Sequence, residues 1–64
     1  MNNRDYLIEM MSEKQLDRRE VAELLIVKRE TVDHWLLPNE ASHHEEVPDM
    51  AIELLTIKMR DRIS

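Results

Sequence analysis

The sequence predicts an all-α fold, a compact four-helix domain, and three observations carry that prediction. Apolar residues recur every three or four positions in four separate stretches, the spacing of one helix face. Asn, Asp and Pro punctuate the ends of those stretches. The chain of 64 residues contains no glycine. Glycine supplies positive φ in tight hairpins and bulges, so its absence disfavours a sheet of hairpins. It also excludes a Walker loop, a dinucleotide fingerprint and a nucleophile elbow, each of which is built on glycines.

A first helix is expected at about residues 3–14, where Tyr6, Leu7, Met10 and Met11 fall at helical spacing. Asn2 or Asn3 can cap it, and Asp5 sits near the positive end of its dipole. A second helix is expected at 17–25. Asp17 is its N-cap, Glu20 completes a capping box, and Val21, Ala22, Leu24 and Leu25 form its apolar face. A third is expected at 28–37, with Val32, Trp35 and Leu36 buried at i, i+3 and i+4. Pro38 and Asn39 stop it, and residues 38–47 read as an exposed acidic loop. Pro48 suits the first turn of a fourth helix at 48–62.

The fourth helix carries two apolar stripes. Met50, Leu54 and Ile57 form one; Ile52, Leu55, Met59 and Ile63 form the other. Together they cover roughly two thirds of the circumference, against a usual stripe a little over 100° wide. One stripe closes the domain's own core. The other, assigned to Ile52, Leu55, Met59 and Ile63, is expected to face a second copy in a symmetric dimer. The competing expectation is a central helix wrapped by the other three.

Composition narrows the setting. The length allows one domain, 1–64. There is no cysteine, which leaves no disulfide or thiolate metal site and points to a reducing, cytoplasmic location. No signal peptide is visible, and no apolar run approaches the roughly 18 residues of a membrane span. The net charge of −5 argues at first against nucleic acid. Its distribution changes that: segments 1–16 and 17–36 carry −1 each, 37–49 carries −4 and 50–64 carries +1. Most of the deficit lies in one loop.

The informative segment runs from Leu16 to Leu36, LDRREVAELLIVKRETVDHWL. Two short helices flank a turn near Ile26 and Val27. Small Ala22 permits a close crossing, and Val32 and Trp35 are spaced to pack back on Val21 and Leu25. The outer face of the second helix is then free to enter a major groove. This segment resembles the helix-turn-helix of the Cro/CI-like (XRE-type) repressors at Leu16, Val21, Ala22, Leu24, Leu25, Val27, Thr31, Val32, Trp35 and Leu36. More narrowly, the chain looks like the small phage regulators encoded beside anti-CRISPR genes, through the loop, the proline and the final helix beginning Val47-Pro48-Asp49-Met50. One departure stands out. Ile26 occupies the turn position where the family usually has glycine, so the turn either is strained or avoids positive φ.

The resemblance implies a homodimeric transcriptional repressor that binds double-stranded DNA at a palindromic operator in its own promoter. It places Arg29, Glu30, Asp33 and His34 at base-reading positions, and Arg18, Arg19, Lys28 and Thr31 against the backbone. Arg29 suits the O6 and N7 of guanine, and Glu30 suits cytosine N4. The plainer alternatives are an Arg29–Asp33 pair at i+4 and solvated Glu30 and Asp33. Trp35 and the methionines read as core. His43, His44, Glu45 and Glu46 read as a solvated loop, not a metal site. No catalytic arrangement, cofactor or small-molecule ligand is expected; Ser12, Ser42 and Ser64 lack a base and an oxyanion site. The rival function is an acidic protein-binding module or inhibitor that mimics nucleic acid on the same scaffold.

Overall fold

Four helices follow one another in chain order: α1 (Asn3–Lys14), α2 (Arg18–Leu25), α3 (Arg29–Leu36) and α4 (Asp49–Asp61). The structure, a computed structural model, describes residues 2–61. The expected starts of all four helices and the ends of α1, α2 and α3 hold to within one residue, for local reasons, while residue 62, the expected end of α4, lies outside the described residues. Asn2 caps α1 by accepting from the Asp5 N–H at 2.9 Å. Asp17 accepts from the Glu20 N–H at 2.8 Å while the Glu20 carboxylate accepts from the Asp17 N–H at 3.2 Å, a complete capping box.

α1 and α2 end alike. Gln15 and Ile26 both take the left-handed conformation, each at φ 56°. The Gln15 N–H donates to the Ser12 carbonyl and the Leu16 N–H to that of Met11. The same pair of bonds runs from Ile26 to Glu23 and from Val27 to Ala22. These are two Schellman motifs, and the residue after each turns inward: Leu16 is buried and Val27 is partly buried. The Ile26 turn therefore adopts the strained alternative. For a non-glycine residue this conformation costs roughly 1–2 kcal/mol.

Each helix sends one side chain fully into the centre: Leu7, Val21, Val32 and Leu55. Trp35, Leu25 and Met59 surround them. α2 packs on α3 and α4, and α1 on α3 and α4. Contacts distant in sequence bind the ends together. Asn3 Nδ2 donates to the Val47 carbonyl at 2.8 Å and to Asp49 at 2.6 Å. Arg4 donates to the carbonyls of Leu37 at 2.9 Å and Leu36 at 3.1 Å, closing the C-terminal end of α3. Lys58 donates to the Leu24 carbonyl at the end of α2.

Two expectations are corrected. On α4, Leu55 and Met59 are 0% and 5% exposed and belong to the chain's own core, and Ile52 packs against that core. Ile63, the fourth residue assigned to a dimer face, lies outside the described residues. The exposed stripe is the other one, with Met50 at 79%, Ile57 at 45% and Leu54 at 38%. The inward stripe is the one that packs on α1 and α2, and the entry to α4 is anchored beside it, with Val47 buried and its carbonyl accepting from Asn3.

The segment 38–47 is also less open than its composition suggests. Turns bonded from Ala41 to Pro38 and from His44 to Ala41 fold it back. The His44 side chain is only 7% exposed, and its buried Nδ1 has no partner.

Candidate nucleic-acid interface

α2 and α3 present a common outer face because their inner faces are spent on the core. Val21, Ala22 and Leu25 on α2 and Val32 and Trp35 on α3 are buried. What remains outside on α2 is Arg18, Arg19 and Glu23, and at the start of α3 Lys28, Arg29 and Glu30. Arg18, Arg19 and Arg29 line one shallow depression together with Asp17 and Met11. Arg19 and Arg29 also line an adjoining depression with Ile26, Lys28 and Thr31. Three arginines and a lysine that lie up to eleven positions apart thus share one end of the two-helix unit.

Their ionic partners divide them. Arg18 Nη1 lies 2.8 Å from Asp33 Oδ1, bridging the start of α2 to the middle of α3. Arg19 pairs with Glu23 one turn on, at 3.0 Å, with both side chains well exposed. Such pairs contribute under about 1 kcal/mol and open readily to a better partner. Lys28, Arg29 and Glu30 are exposed and make no side-chain hydrogen bond or ion pair among the described residues. The Arg29–Asp33 pair that helical spacing allows is not formed; Asp33 faces Arg18 instead. Lys28 stands at the N-cap of α3 with no side-chain cap, so the first N–H groups of that helix have no side-chain acceptor there.

Matched against known protein-family models, curated proteins and solved structures, the chain returns no match. Among the described residues no helix is long and apolar enough to cross a membrane.

The structure brings together Arg18, Arg19, Lys28, Arg29 and Thr31, and sets His34 apart. His34 Nδ1 meets Glu45 at 2.6 Å, and the Glu45 N–H donates to the His34 carbonyl at 3.2 Å. His34 is thus occupied by the acidic loop. His43, His44, Glu45 and Glu46 do not converge, and among the described residues no three His, Asp or Glu groups gather around a metal-sized site.

Sequence reasoning missed Arg4 and Lys58, whose side chains hold the ends of α3 and α2. Their partners lie more than thirty positions away, and a lone basic residue carries no local sign of such a contact. It also missed Asp33 as the partner of Arg18.

Proposed function

We propose that this chain is a sequence-specific DNA-binding transcriptional repressor, acting as a homodimer on an inverted repeat and autoregulating its own operon. One observation supports this above the others. Arg18, Arg19, Lys28 and Arg29 meet at the end of a helix-turn-helix unit, and Lys28 and Arg29 are unpaired among the described residues. Most of the acidic excess lies in segment 37–49, at −4, while this end of α2 and α3 gathers four of the chain's nine bases and suits a polyanion.

The residues take distinct roles in this reading. Arg29 donates to a guanine edge in the major groove and Glu30 accepts from cytosine. Arg19, Lys28 and Thr31 meet phosphates, with Arg18 beside them. Asp33 and His34 stay candidate base-reading residues, each of which must first release an exposed partner, Arg18 and Glu45 respectively. A second copy seats on Met50, Leu54 and Ile57, whose exposed stripe adjoins an apolar groove floored by Trp35 and Leu25. Two recognition helices then lie about 34 Å apart, one turn of DNA.

The deciding experiment selects duplexes from a randomised pool with the wild-type protein and compares Arg29→Ala on the winner. Loss of both affinity and sequence preference supports the reading. Equal binding by both proteins sinks it, and a stoichiometric, nuclease-insensitive protein partner in its place supports the acidic-module alternative.

A further inference from the structure

We infer that Ile26 is a nucleotide contact, packing its side chain against an apolar edge of DNA, either a thymine C5-methyl or a deoxyribose, beside Lys28 and Arg29. This rests on the DNA-binding reading above.

Ile26 is the most exposed large apolar residue described, at 84%, and it occupies a left-handed position at φ 56°, ψ 50°. Both facts run against the fold's interest. A β-branched residue is a poor choice for that conformation, where glycine or asparagine carries little penalty. An exposed isoleucine gains nothing from burial in return.

The chain contains its own comparison. Gln15 ends α1 with the same dihedrals and the same pair of backbone bonds. There the outward side chain is polar, as solvent favours. At Ile26 the equivalent outward position is apolar, and it shares a depression with Arg19, Lys28 and Arg29. Duplex DNA offers anionic oxygens for the cations and methyl or sugar carbons for the isoleucine within one nucleotide. A second protein copy is the less suitable occupant, because the groove that the exposed stripe of α4 lines shares Val27 with this depression but includes neither Ile26 nor any of its cations.

Ile26→Gly and Ile26→Asn test this, with the duplex that the wild-type protein selects from a randomised pool as the probe. Both variants are expected to melt at or above the wild-type Tm, since the turn is relieved. Both are expected to bind that duplex roughly tenfold more weakly, the scale of a partly buried aliphatic side chain. The slope of log affinity against log salt should not change, because an apolar contact releases no counterions. Wild-type affinity in both variants overturns the inference, as does a loss of dimer mass in sedimentation that accounts for the weaker binding. Arg29→Ala is the control for the parent reading. If it too binds like wild type, the DNA-binding reading itself has failed; if it loses binding while both Ile26 variants keep theirs, only this inference falls. Replacing thymine by uracil in the duplex assigns the partner. A loss seen in wild type but not in Ile26→Gly marks the methyl group, and no loss in either marks the sugar.

Discussion

Asp33, near the middle of α3, holds Arg18, at the start of α2, across 2.8 Å. The pair spans α2 and α3 and neutralises one of the four cations gathered at that end of the two helices. Both side chains are nearly half exposed, so solvent screens the pair and its contribution to stability is under about 1 kcal/mol. Asp33→Asn is therefore expected to leave the Tm almost unchanged. It should strengthen DNA binding at low salt and steepen the salt slope by about one unit, as one more cation becomes free for phosphate. Anisotropy titrations at several salt concentrations check this.

The two stripes of α4 give opposite expectations. Leu55→Ala removes a fully buried side chain and should cost about 2–5 kcal/mol in urea unfolding. In a domain of 64 residues that is enough to threaten folding altogether. Ile57→Asp, on the exposed stripe, should leave the fold intact and abolish the proposed dimer, read as protomer mass in sedimentation. A dimer that survives Ile57→Asp would remove this stripe from the interface.

Asp17→Ala should cost about 1 kcal/mol, because the Glu20 N–H loses its acceptor at the start of α2. Glu20→Ala removes the reciprocal bond to the Asp17 N–H. The two changes are expected to be less than additive, since each disrupts the same box. Thermal melts of both single variants and the double variant measure the coupling.

Arg4→Met keeps much of the apolar stem and removes the donors to the Leu36 and Leu37 carbonyls. The expected result is a loss of about 1–2 kcal/mol, with faster amide exchange in the last turn of α3 than in the first. Equal exchange at both ends would show that Arg4 does not hold that helix end.

Much of this architecture was legible because its causes are local. Asn2, Asp17 with Glu20, and Pro38 each act within four residues, and the spacing of Val32 and Trp35 needs only the helical period to place them inside. The rotation of α4 was not legible for a related reason. Its period produces two stripes of similar strength, and nothing within the helix says which one turns inward; that depends on how α4 meets α1 and α2, with its entry anchored at Val47 and Asn3. His44 illustrates the same limit. Polar neighbours suggest solvent, yet the turns at Ala41 and His44 fold its ring under cover. Within the candidate site, helix spacing located Arg29 and Glu30 on the outer face. The partners of Asp33 and His34 lie fifteen and eleven positions away and depend on how the elements meet.

The Lys58 grip on the Leu24 carbonyl has a consequence for how the proposed dimer would measure its target. It fastens α4, which carries the exposed stripe, directly to the end of α2. In the proposed dimer the mating surface and the proposed reading helices would then move together, and the assembly would act as a calliper with a fixed gap. Adding one base pair between half-sites shifts the second site by about 3.4 Å and turns it by about 35° around the duplex. A hinged dimer would follow that displacement; a calliper would let go.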